Sequence, residues 1–202
     1  MHIELTEMMR CPERHAEGHL VLSTGEMRGR MVRSGLLACP ACGREYPVVR
    51  GIVKFSGGGM RDAGGVTPDA RTHPVEPESL QALLDLGGPG GYVVLLGAAT
   101  RHAVGLAGLM GGIHFVGVNA PSDLEELPAL SLLDCQTMIP LRQTVARAVV
   151  VGADSLGVEW LADARRVVLP GRRVVIESDQ IPAPAGLTSL AREKGLFVGE
   201  RR

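Results

Sequence analysis

Cys39 and Cys42 stand two residues apart in the turn Cys39-Pro40-Ala41-Cys42-Gly43. Such a turn presents two thiolates on one side, and two turns converging on one ion make a tetrahedral zinc site. Upstream, Cys11 is followed by Pro12 as Cys39 is by Pro40, so Cys11 offers a third thiolate. The second cysteine of that turn would stand at position 14, where the chain has Arg14. A guanidinium has no lone pair to give a cation. His15 follows directly, His19 lies further along and Glu13 just before. A short loop keeps His15 beside Cys11, which makes it the expected fourth ligand, with His19 and Glu13 as alternatives. Zinc held this way is structural, because such a ligand set leaves little room for a substrate. Buried free thiols packed without metal are the other reading.

A second group lies in "VVLLGAATRHAVG", residues 93–105. A continuous apolar strand, a tight turn at Gly97 and a following helix form the corner where doubly wound sheets hold their ligands. Arg101 and His102 at the helix start could bind an anion, or be solvated polar residues. Asp154 and Ser155 follow a later strand, where they could be reactive groups or cap the next helix. Cys135, beside Asp134, has no histidine placed by sequence to activate it and reads as core, and Trp160 as core or interface. No Ser-His-Asp order, phosphate loop or paired glycosidase carboxylates stand out.

The elements that must position these groups fall into two blocks. In residues 1–55 a short helix ends at Pro12, strands are expected over 19–23 and 29–39, and a strand or hairpin over 46–55. This block is too small for a large core, so a metal would help it fold. Residues 56–75 are rich in glycine, proline and polar side chains and read as a flexible linker. From 76 to 202, helices alternate with apolar strands. Strands are expected over 92–98, 113–119, 131–135, 146–154 and around 172–178, with a last short one near 196. Helices are expected over 77–87, 100–110, 121–130, 157–168 and 186–195. Strands lacking polar alternation, separated by helices, imply a mostly parallel sheet covered on both faces. The expected fold class is thus α/β: a small zinc-ribbon-like β domain followed by a doubly wound Rossmann-like sheet.

The 202 residues suit one medium domain or two small ones. A net charge of -1 leaves no broad field to hold nucleic acid or an anionic membrane. Aromatics at 3% are too few for a base-stacking platform. The start, MHIELTEMMR, has acids, a base and no apolar stretch, so no leader is expected. Arg101 and His102 interrupt the most apolar window, leaving it short of the ~18 residues that a membrane span needs. A C-x-x-C turn among four cysteines suits a reduced compartment, so a soluble, cytoplasmic protein is expected.

Two resemblances follow. The opening helix ending in Cys11-Pro12, with "LACPACGREYPVVRGIVKF" after it, resembles the small zinc-ribbon family that activates methyltransferases acting on tRNA and translation factors. Arg14 departs from that family's four-cysteine pattern. The order of elements from residue 76 resembles a class I S-adenosylmethionine-dependent methyltransferase. Gly97 matches the first glycine of that family's V-L-D-x-G-x-G-x-G turn, while Leu95 replaces the acid and Ala99 and Arg101 replace later glycines. Asn119 stands where an acid would hold the ribose, Asp134 matches the acid near the adenine, and Pro140 the apolar-proline pair. The chain ends soon after Phe197, so the family's last hairpin is expected to be cut short. The resemblances imply a zinc ribbon on a sheet that has lost its cofactor: a non-catalytic binding or regulatory partner of a methyltransferase, or a homo-oligomer covering its own sheet edge. The alternative is an active enzyme with Gly97, Asn119 and Asp134 on S-adenosylmethionine and Asp154 near the acceptor. A third is another nucleotide held by residues 97–102.

Overall fold

A computed structural model of the protein describes residues 1–56, 75–124 and 127–202. The expected linker, 56–75, therefore lies outside the described residues except for Ser56 and Val75. A 3-10 helix, Ile3–Met8, opens the chain. Six short strands follow: β1 Val21–Thr24, β2 Met27–Arg28, β3 Met31–Val32, β4 Gly35–Ala38, β5 Glu45–Val49 and β6 Ile52–Lys54. Then come α1 Pro77–Leu84, β7 Tyr92–Leu96, a 3-10 turn Gly97–His102 running into α2 Ala103–Leu109, and β8 His114–Val118. The rest is β9 Leu130–Asp134, β10 Ala146–Val151, α3 Val158–Val167, β11 Val168–Ile176, β12 Leu187–Glu193 and β13 Leu196–Arg201. No helix among the described residues is long and apolar enough to cross a membrane.

Eleven of the described strands form one sheet in the order β1-β4-β5-β6-β9-β8-β7-β10-β11-β13-β12. From β9 to β11 the strands are parallel. Their order is that of a doubly wound sheet, which reverses direction between β7 and β10. Val93, Val94, Leu95 and Leu96 are all buried, which is why β7 shows no polar alternation. Val93 and Leu95 pack with Leu80 and Leu84 of α1 and Leu106 of α2. Val94 and Leu96 face the opposite cluster, with Ala164 and Val167 of α3.

The same cluster holds Met1, Leu5 and Met9. The helix expected over 121–130 is not formed by the described residues there; they make turns, and Leu130 already begins β9. The chain's own first residues cover the α3-side face of the sheet beside β9. His2 N–H donates to Ser131 Oγ (2.8 Å), Arg10 N–H to the Pro140 carbonyl (3.1 Å) and Arg142 N–H to that of Met8 (2.8 Å). These bonds tie a segment too short to nucleate alone to a preformed sheet.

Residues 1–55 join the sheet directly. β6 lies parallel to β9, pairing Ile52 with Leu132, Val53 with Leu133 and Lys54 with Asp134. Leu37, Tyr46, Val53 and Phe55 belong to one apolar cluster with Val116 and Val149.

Two expectations are corrected at the C-terminus. The segment read as a helix over 186–195 is β12, antiparallel to β13. The last hairpin, expected to be cut short, is therefore present. Lys194 and Gly195, with φ of 53° and 76°, form the two-residue turn that right-twisted strands prefer. The Asp179 carboxylate accepts the Gly195 N–H (3.0 Å) and fixes it.

Two predictions follow from this packing. Leu5 is fully buried, so Leu5→Ala should cost about 2–5 kcal/mol. Trp160 on α3 packs on the same cluster, so its fluorescence should report the loss as an earlier unfolding midpoint. An unmoved Trp160 transition would show that the first residues do not support the sheet. His114, whose ring lies 5.0 Å from that of His2, is lowered to about 4 by burial, helped by His2 and the chain terminus. The unfolded chain then binds the proton more readily between the ordinary histidine range and pH 4. Stability should be full above pH 6.5 and fall as pH drops towards 4. His114→Gln should flatten that slope in urea titrations at stepped pH.

Candidate functional site

The knuckle forms because Cys39 N–H bonds the Arg44 carbonyl and Gly43 N–H bonds that of Cys39, both at 2.8 Å, with Gly43 at a φ of 69°. Those bonds turn both thiols to one side. Cys11 arrives from the other side, on the segment anchored to Pro140 through Arg10. The ligand atoms of Cys11, His15, Cys39 and Cys42 all lie within 4.8 Å of one another. His19 and Glu13 are not in this group, and Glu13 instead pairs with Arg44 at 3.5 Å.

The geometry suits a tetrahedral ion. Cys11 and Cys42 sulfurs are 3.7 Å apart, and ligands at ~2.3 Å in a tetrahedron stand roughly 3.8 Å apart. His15 Nε2 lies 3.3 Å from Cys39 Sγ. Its Nδ1 bonds the Ala16 carbonyl at 2.7 Å, which leaves the Nε2 lone pair for a cation. The Tyr46 hydroxyl, 3.0 Å from Cys11 Sγ, can donate to that sulfur as a thiolate. Burial pushes Cys11 up to about 11, against the Tyr46 hydroxyl and the Glu13 amide. Burial also opposes ionisation of Cys39, but the amides of Cys42 and Ala41 and the adjacent thiols outweigh it and bring it down to about 7. One thiol in the group is thus prepared to ionise near neutral pH, the form that metals take.

The corner after β7 is arranged differently from the sequence expectation. Gly97 has a φ of 61°, and a Cβ there would collide with the Asp154 carboxylate and the Ser155 hydroxyl. Ala98 N–H donates to both Asp154 oxygens, at 3.0 and 3.1 Å. Asp154 therefore does not cap α3, whose N-cap is Gly157. Arg101 forks onto Asp123 at 3.0 and 2.9 Å. His102, read as a solvated end, is largely buried against Glu177 at 2.6 Å.

Asn119 and Asp134 are also engaged. Asn119, with a φ of 55°, donates to the Cys135 carbonyl (2.7 Å) and accepts the Cys135 N–H (3.0 Å). Asp134 pairs with Lys54 across the β6–β9 seam at 3.0 Å. Both line a cavity of about 760 Å³ with Tyr46, Lys54, Phe55 and Leu132, whereas Gly97 does not border it. The three expected cofactor contacts are thus divided between two places. Cys135 is buried, as expected of a core thiol. Lys54 and the inward turn of Asp154 were not found from sequence. The one signal was a lysine closing an otherwise apolar strand, "IVKF".

Known structures give the following comparisons. A SAM-dependent methyltransferase from Aquifex aeolicus aligns with a TM-score of 0.46 and 16% identity, over 61% of this chain and 87% of its own. A geranyl diphosphate C-methyltransferase from Streptomyces coelicolor A3(2), solved with Mg2+, geranyl-S-thiolodiphosphate and S-adenosyl-L-homocysteine, aligns at 0.41 with 16% identity, over 50% of this chain and 41% of its own. A complex between the Haloferax volcanii Trm112 methyltransferase activator and a methyltransferase gives 0.40 and 18%, over 50% of each chain. This chain spans half or less of the length of the last two. No family model matches the chain, and no curated protein does. The fold class, mixed α/β with a largely parallel doubly wound sheet, rests on the chain's own strand order.

Proposed function

We propose that the protein is a non-catalytic binding or regulatory module: a zinc-held ribbon built onto a methyltransferase-like sheet, acting as partner to a methyltransferase. Zinc would be held by Cys11, His15, Cys39 and Cys42 and would supply a structural staple. The observation that carries the non-catalytic reading is the Asp154 carboxylate on the Ala98 amide. It occupies the turn beside Gly97 where a cofactor of this fold would approach the backbone. S-adenosylmethionine entering there would have to displace a hydrogen bond to a charged group, worth ~1.5–3 kcal/mol. Asn119, tied twice to Cys135, and Asp134, tied to Lys54, would each have to exchange partners as well.

The second reading is an active S-adenosylmethionine-dependent methyltransferase with a displaced pocket. It is supported by the cavity of about 760 Å³ lined by Asn119 and Asp134, a size that suits a small molecule.

Calorimetric titration with S-adenosylmethionine and S-adenosyl-L-homocysteine separates the two. The wild type should show no saturable binding in the micromolar range. Asp154→Ala should gain affinity by at least tenfold, as expected when ~1.4 kcal/mol or more of competing interaction is removed. Micromolar binding by the wild type would establish the second reading. For the metal, elemental analysis of dialysed protein should return one zinc per chain, and Cys39→Ser or His15→Ala should lower that content. A zinc-free, fully stable wild type would defeat the staple.

A further inference from the structure

The opposite edge of the β6–β9 seam holds a second cavity, about 320 Å³ in volume. Arg28, Arg33 and Arg50 line it, together with an apolar floor that includes Ile52, Leu130 and Leu132. No acidic side chain is among its described lining residues. The floor exists because Leu130 and Leu132 point to one face of β9 and Ile52 pairs with Leu132 in the neighbouring strand. No described residue of the 119–129 crossover forms a helix over that face.

The arginines come from two elements that the chain forces together. Arg28 ends β2 and Arg33 follows β3, while Arg50 occupies the tight turn between β5 and β6. Gly51 N–H bonds the Arg33 carbonyl at 2.8 Å, which locks the turn against the segment after β3. The Arg33 guanidinium lies over Gly51, 3.5 Å from where a Cβ would stand. Arg28 pairs with Glu26 at 3.4 Å, but both side chains are well exposed. Such a pair contributes little and yields readily to a better anion.

Two exposed guanidiniums, those of Arg28 and Arg50, above an apolar floor have one chemical complement. Guanidinium forks bind carboxylate and phosphate oxygens in pairs, and the floor takes an alkyl chain. We propose that this cavity binds a small amphiphilic anion: an oxyanion head, carboxylate or phosphate monoester, on a single medium-length alkyl or acyl chain. It is separate from the cysteine–histidine group and from the Gly97 corner, so its test and theirs succeed or fail independently.

The test is calorimetric titration of the full chain with decanoate and with decyl phosphate below their micelle concentrations. Decanol, inorganic phosphate and decyltrimethylammonium serve as controls. Either anion should saturate one site per chain in the micromolar range, and the tighter of the two identifies the head. Decanol and inorganic phosphate should each bind at least tenfold more weakly, since each lacks one half of the complement. Arg50→Gln alters an exposed turn residue outside the core and should weaken the better anion by tenfold or more while leaving decanol unchanged. Arg28→Gln provides the same test from the other element. The proposal is overturned if neither anion saturates, if decanol or decyltrimethylammonium binds as well as the anions, or if the Arg28→Gln, Arg50→Gln double variant binds them unchanged.

Discussion

Val53 and Leu133 face each other in parallel register, flanked by Ile52 with Leu132 and Lys54 with Asp134. Phe55 N–H extends this ladder to the Asp134 carbonyl at 2.8 Å. β6 itself is only three residues long, yet most of the architecture rests on its pairing. Without it β9 would be an exposed edge with unpaired backbone groups, and β4 and β5 would have no sheet to extend. The same pairing brings Lys54 to Asp134 and so shapes the large cavity, while Tyr46 on β5 lies against Cys11.

The amino-terminal segment makes the arrangement reciprocal. Leu5 and Met9 fill the face beside β9, and Arg10 bonds Pro140 just before Cys11 enters the knuckle. One ligand of the candidate metal group is therefore held by the loop after β9, while Cys39 and Cys42 are held by the ribbon. Zinc there would clamp the loop beyond β9 to the ribbon, closing a circuit that begins at the β6–β9 ladder.

Much of this could be read from residue order, and the exceptions have separate physical causes. β7, β8 and β10 are buried on both faces, so their apolar runs declared them. The convergence of Cys11, His15, Cys39 and Cys42 could be read from their types and short spacing, and His15 Nε2 does lie 3.3 Å from Cys39 Sγ. β12 was misread because it is an edge strand with most side chains exposed, so nothing in its pattern opposes the helical spacing of Leu187 and Leu190. The turns within 121–130 were misread because Leu124 and Leu127 stand at helical spacing, yet the described residues there make turns, with Leu127 packed on the Leu130 face of β9. The contact of Asp154 with the Ala98 amide was not legible from local sequence. That amide is supplied by a different strand end, whereas the local sequence offers Asp154 as a helix cap or a reactive group. Local pattern is readable where burial on both faces imposes it, and is lost at exposed edges and in contacts made between distant segments.

Through the β6–β9 ladder the cysteine–histidine group, the ribbon and the parallel sheet should behave as one cooperative unit. Hydrogen exchange measured by mass spectrometry, with zinc present and after chelation, tests this most directly. Chelation should deprotect the amides of β6 and of β9 together, including Phe55, while β7 and β10 deeper in the sheet retain more protection. Loss confined to residues 11–45, with β9 amides unchanged, would contradict it.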